Sequence, residues 1–206
     1  MTTDTAWLAA CTTVALLVLY EVASAWAQRR APTQLARSAH ARLREAWFAA
    51  VSDREGSEIL AVQTLRNSLM SATMTASTAA LGLVASLTLA VPTLHDSVAA
   101  VWSPRLMLEL VLIALLFASL VASAMAVRYY NHAGFICGMP TDSPAREHWA
   151  AQGTAYVRRA GLLYSWGLHQ LVLVAPILAA LLHPLAGPPA ALVVIAVLVG
   201  FDRVVA

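Results

Sequence analysis

Residues 160–201 read AGLLYSWGLHQLVLVAPILAALLHPLAGPPAALVVIAVLVGF, a run of 42 residues with no Asp, Glu, Lys or Arg. As one α-helix this run would be about 63 Å long, twice the roughly 30 Å hydrocarbon core of a bilayer. Its middle is His183-Pro184-Leu185-Ala186-Gly187-Pro188-Pro189. Proline inside a helix removes a backbone hydrogen bond and clashes with the preceding turn. The run therefore reads as two membrane-crossing helices, about 160–182 and 189–203, joined by a tight turn. The second is short.

The rest of the chain supports this reading. Of 206 residues, 60% are hydrophobic and 12% are charged, about half the usual charged share. Mean hydropathy is +0.70. A soluble domain cannot hide that much apolar surface behind so few charges, and a disordered chain has the opposite composition. Three further charge-poor segments are long enough to span. Thr5 to Tyr20 is uncharged and continues apolar past Glu21 to Ala27, and Asn67–Leu94 and Leu110–Val127 are also uncharged. The expected fold is an all-α membrane helix bundle in one domain, with spans near 6–27, 67–91, 106–128, 160–182 and 189–203.

Charge sets the expected orientation. All 13 basic residues are Arg, against 11 acids, for a net charge of +2. That is too little for a nucleic-acid partner. Five spans place every Arg except Arg105 on one side. Arginine-rich loops stay cytoplasmic, so the N-terminus is expected outside and the C-terminus inside a bacterial cytoplasmic membrane. Asp4 precedes the first span and Arg29-Arg30 follow it, the reverse of a secretory signal, so an uncleaved helix is expected. Cys11 and Cys137 are too far apart in sequence to suggest a disulfide, haem-attachment or zinc motif.

The first internal loop carries Leu35, Ala39, Leu43, Trp47 and Val51 at helical spacing, with arginines between them. An amphipathic helix over about 34–55 follows, stopped near Gly56. It either lies on the inner membrane surface among lipid headgroups or packs on the second internal loop. That loop, from Asn131 to Arg159, carries two Pro-containing turns and then a short helix.

Three stretches carry a family resemblance: LAVQTLRNSLMSATMTASTAA at 60–80, RYYNHAGF at 128–135, and the hairpin split by HPLAGPP. Together they resemble the bacterial and plant membrane-protein family catalogued as domain of unknown function 599, from about Glu21 to Asp202. The resemblance implies a multi-span membrane fold and carries no activity with it.

Polar residues inside spans need partners, so they are the candidate sites. Asn67, Ser71, Thr75, Thr78 and Ser86, with Gly82 among them, step along the second span by three or four. They line either a tight helix contact or a hydrated pathway. Glu21 lies inside the first span and is expected to pair with Arg66 or Arg128, as a structural clamp or as a proton or ion site. Glu109, near the outer end of the third span, reaches the headgroups or joins an acidic ring in an oligomer. Asn131 and His132 are expected to cap the third helix or to bind neighbouring backbone. His169 is the one histidine clearly inside a span. A two-haem site needs facing histidine pairs, and no HxxxH or CxxC spacing gathers metal ligands, so no cofactor is expected. No catalytic motif is present either. The leading functional expectation is an oligomeric channel or small-solute permeation unit in contact with lipid. A non-catalytic accessory subunit comes second, and a membrane enzyme or metal protein third.

Overall fold

The computed structural model describes residues 2–30, 36–52, 54–95 and 102–202, and these are helical apart from short connections. In order they form α1 (Thr3–Arg30), α2 (Ala36–Ser52), α3 (Glu58–His95), α4 (Pro104–Cys137), α5 (Pro144–Val172), α6 (Val174–Leu182), a 3-10 turn (Pro184–Ala186) and α7 (Gly187–Asp202). Among the described residues five helical stretches are long and apolar enough to cross a membrane, with α5 and α6 counted as one.

Local chemistry sets the boundaries. Ser103 and Ser143 each accept a hydrogen bond from the backbone N–H three residues on, at 3.2 Å, and a proline follows each cap. Both starts are thereby satisfied without a preceding turn. Gly56 reverses the chain at φ 79°, a conformation that excludes most side chains. Between α5 and α6 the helix breaks at Leu173. Pro176 cannot donate to the Val172 carbonyl four residues earlier, which accounts for the break.

The helices overrun the expected spans at one end. With 34 residues, α4 is about 51 Å long, roughly 20 Å more than a bilayer core. The excess in α3, α4 and α5 lies at the arginine-rich end, where α2 packs on α5. The expected second loop is thus mostly helix, and only 138–143 connects α4 to α5.

Of the two positions expected for α2, its contacts match packing on the segment that follows α4. Its buried residues are Ala41 and Phe48, while Leu43, assigned to the apolar stripe, is 66% exposed. Phe48 fills the space where Gly153 lacks a side chain, and the Arg44 guanidinium lies against Gly161. Residues 34, 35 and 53 of the expected helix, and Arg203, lie outside the described residues.

Two apolar clusters fill the bundle. One joins α1, α4, α6 and α7 through Ala10, Leu17, Leu112, Leu116, Ile177 and Ala191. The other joins α2, α3, α4 and α5 through Phe48, Leu65, Ala126, Tyr130 and Val157. Along α4 and α5, buried Ser119, Ser123, His169 and Gln170 fall between them in sequence. Ser119 Oγ donates to the Gly167 carbonyl across the α4–α5 contact at 2.7 Å. A Cβ on Gly167 would stand 3.1 Å from the Ser119 carbonyl. That glycine therefore sets how closely the two backbones approach.

Candidate functional site

Glu21 faces α5. Its Oε1 accepts from His169 Nε2 and from Gln170 Nε2, each at 3.0 Å. His169 and Gln170 are buried, whereas the Glu21 side chain is 34% exposed. Tyr20 stacks on the His169 ring with centroids 5.5 Å apart and planes 22° apart. Its buried hydroxyl makes no hydrogen bond of ordinary length and lies close to Asp202 of α7. A carboxylate, an imidazole and an amide thus meet between α1 and α5, one turn before the Pro176 break.

The expected partners of Glu21 are corrected. Arg66 and Arg128 are exposed on α3 and α4. The ladder of helix contacts explains why: α1 packs on α7, α4 and α6, and α3 packs chiefly on α4. The central helix therefore separates Glu21 from Arg66, and Arg128 faces away. Gln170 was missed because the search followed ionisable groups. Its signal was an amide beside a histidine within an otherwise apolar run.

A cleft of about 200 Å³ opens beside His169. It lies between the start of α2, α5 and the end of α7, and Arg37, His40, Tyr164, Ser165 and Asp202 also line it.

The polar stripe of α3 splits in two. Thr75 is buried and Ser86 half-buried, while Asn67, Ser71 and Thr78 are exposed. Each step of four residues overshoots a full turn by about 40°, so the stripe winds off the contact face. The packed face instead runs through Ala61, Leu65, Ala72, Thr75 and Ala79. The four hydroxyls also have partners within the helix. Ser71, Thr75, Thr78 and Ser86 donate to the carbonyl four residues back, at 3.1, 3.0, 2.9 and 2.8 Å. Such bonding removes most of the cost of facing lipid.

Glu109 is buried in its own chain and accepts from Arg105 Nε at 2.9 Å. It lines an apolar cavity of about 490 Å³ with Ser86, Leu112, Leu116 and Leu178, not the outward position that an acidic ring needs. The expected capping role of Asn131 and His132 is also corrected. Both are exposed within α4, which continues to Cys137. The His132 ring meets Tyr156 at 5.6 Å. The cap comes from buried Arg146, whose Nη1 donates to the Cys137 and Met139 carbonyls at 2.6 and 2.9 Å. Among the described residues no three His, Cys, Asp or Glu side chains come together as a metal site.

Five apolar helices with polar groups gathered inside them fit a multi-pass integral membrane protein. The family model described as "Protein of unknown function, DUF599" matches residues 8–206, nearly the whole chain, and the chain belongs to that family. No curated protein and no solved structure matches it.

Proposed function

We propose that this protein is an oligomeric ion or small-solute permeation unit of the bacterial cytoplasmic membrane, with its arginine-rich end in the cytoplasm. The observation that carries this reading is the Glu21–His169–Gln170 cluster beside the α5–α6 break. An ionisable group inside a span is costly and marks ion or proton handling more often than packing. Helix breaks at such groups are a recurring feature of transporters, because they free backbone carbonyls where an ion binds. One chain offers little room for a continuous pore, so a pathway would form between copies, along the exposed Ser71 and Thr78 face of α3 or beside the cluster.

The test is reconstitution into liposomes, with proton, alkali-cation and small-solute fluxes followed by dyes and light scattering. Flux that Glu21→Gln reduces tenfold or more supports the reading. Liposomes that hold every gradient like protein-free controls overturn it.

A second reading, a non-catalytic accessory subunit, draws on the helical extension at the arginine-rich end. There Leu43, Ile59, Leu60 and Phe135 are 62–74% exposed, an apolar surface suited to a partner protein. Intact gradients, together with co-purification of a partner that Phe135→Glu and Leu60→Glu release, favour this reading over permeation.

A further inference from the structure

We infer that His169 and Glu21 form a one-proton site that exchanges protons with the arginine-rich side only, through the cleft between α2, α5 and α7. The inference deepens the permeation reading by naming the ion, and it rests on that reading only for what the proton is used to do.

The geometry gives the imidazole two distinct sides. Nε2 is engaged by Glu21 Oε1 at 3.0 Å. Among the described residues nothing hydrogen-bonds Nδ1. His169 itself lines the 200 Å³ cleft, so one flank of the residue meets that space while the other meets Glu21. Toward the α6–α7 hairpin, Leu17, Leu173, Val174 and Ile177 are buried together. A proton thus meets Arg37, His40, Ser165 and Asp202 in a cleft whose walls also carry Leu198 and Phe201 at one end, and a closed apolar cluster at the other.

The proton balance is simple. In the empty state Glu21 is a carboxylate and His169 a neutral imidazole, with Nε2–H donating to Oε1. A proton from water in the cleft adds to Nδ1 and makes the imidazolium. The Nε2–H bond is kept, Glu21 stays ionised as counter-ion, and no other group changes charge. Release reverses the step through the same cleft. Gln170 holds Oε1 in both states, since its amide donates whatever the charge on the ring.

Charged and titratable neighbours face this pair from each side. Tyr20 lies on α1 and stacks on the ring. Tyr164 is on α5, Arg37 and His40 are on α2, and Asp202 is on α7. Arg37 opposes the imidazolium and Asp202 favours it. Glu21, at hydrogen-bond distance, is the strongest partner. Loading turns the hydrogen bond from a neutral imidazole to the Glu21 carboxylate into an ion pair between α1 and α5, one turn from the Pro176 break. A proton taken up on one side would therefore tighten that contact.

Histidine-labelled protein in lipid bilayers tests this by nitrogen NMR. The His169 resonance is identified by its loss in His169→Gln, or in the wild type by a through-space correlation from Nε2 to a glutamate carboxyl carbon. In proteoliposomes, His169 should titrate with the pH on the arginine-rich side and ignore the pH on the other. Glu21→Gln should lower the ratio of imidazolium to imidazole at a fixed pH, because it removes the adjacent counter-charge. An imidazole that keeps one charge state across the accessible pH range, or that follows the pH on both sides equally, overturns the inference. So does a Glu21→Gln protein whose His169 titrates as in the wild type. If Glu21→Gln does not fold, the sidedness of the wild-type titration still decides. Titration without flux keeps the proton site and removes the permeation reading. Flux without titration does the reverse.

Discussion

A single half-buried acceptor, Glu21, joins α1 to α5, and its removal has a different cost from its conversion. Glu21→Ala leaves the His169 and Gln170 donors buried with nothing to bond. An orphaned buried donor costs about 1–3 kcal/mol. Intramembrane hydrogen bonds average nearer 0.6 kcal/mol, because the unfolded chain also finds partners. About 1–2 kcal/mol is therefore expected for Glu21→Ala, and under about 1 kcal/mol for Glu21→Gln, which keeps a carbonyl acceptor. Thermal unfolding of the detergent-purified variants measures both, and equal losses would show that the two bonds contribute nothing. Arg146 makes a parallel case outside the apolar spans. Its guanidinium caps the end of α4 from a fully buried position. Arg146→Lys keeps the charge but not the reach and direction of Nη1, the nitrogen that bonds these carbonyls, so a loss of about 1–2 kcal/mol is expected. Unchanged unfolding would mean that the α4 end needs no side-chain cap. At this scale the sequence disclosed which residues were expensive but not their partners. Glu21, His169 and Glu109 stood out as ionisable groups in apolar runs. Pairing depends on which helices touch, and that α4 stands between α1 and α3 is not written in any local pattern.

Helix positions were legible at the element scale because charge-free runs, prolines and serine caps act locally. Helix faces were less so. In α2 the apolar stripe through Leu35, Ala39, Leu43, Trp47 and Val51 pointed to one face, and the chain buries the neighbouring one. Phe48 and Arg44 dock on glycines of α5, and a glycine on the receiving helix is invisible to the periodicity of the donor. In α3 the hydroxyl stripe winds away from α4. The close seam lies instead between α4 and α5, at Ser119, Ser123 and Gly167. Paired substitutions separate the two surfaces. Gly167→Ala meets the Ser119 carbonyl, a backbone atom that cannot rotate away, and should cost about 1–3 kcal/mol by overpacking. Thr78→Leu places a larger group on an exposed face and should be nearly neutral in a single chain. A Thr78→Leu protein as damaged as Gly167→Ala, with its oligomeric mass in detergent reduced, would show that a second copy covers this face. One that unfolds normally but loses flux would place Thr78 in a pathway.

For the whole molecule, two asymmetries coincide. The arginine-rich end carries the helical extension of α2, α3, α4 and α5, and the cleft beside His169 opens toward α2. The other end is the short hairpin of α6 and α7, closed by apolar residues. This division matches the distribution of arginine along the chain, on which the expected orientation rests. Long helices projecting about 20 Å beyond the bilayer core need an aqueous compartment with room for them. In the orientation proposed from the positive-inside rule, that compartment is the cytoplasm. The two arguments are independent, and sided labelling tests their joint conclusion. Cys11 is exposed and Cys137 buried, so a Cys11→Ser background removes the reactive native thiol. Ala49, exposed on the outer face of α2, then takes a single Ala49→Cys substitution that touches neither the Phe48 contact nor the cleft. In intact cells an impermeant maleimide should leave this thiol unmodified, and permeabilised cells should label it fully. A matched Leu185→Cys in the hairpin, where the side chain is 56% exposed, should label in intact cells. Labelling of Ala49→Cys from outside, with Leu185→Cys protected, would invert the molecule. The proton cleft would then open to the exterior, and the imidazole would answer to external pH.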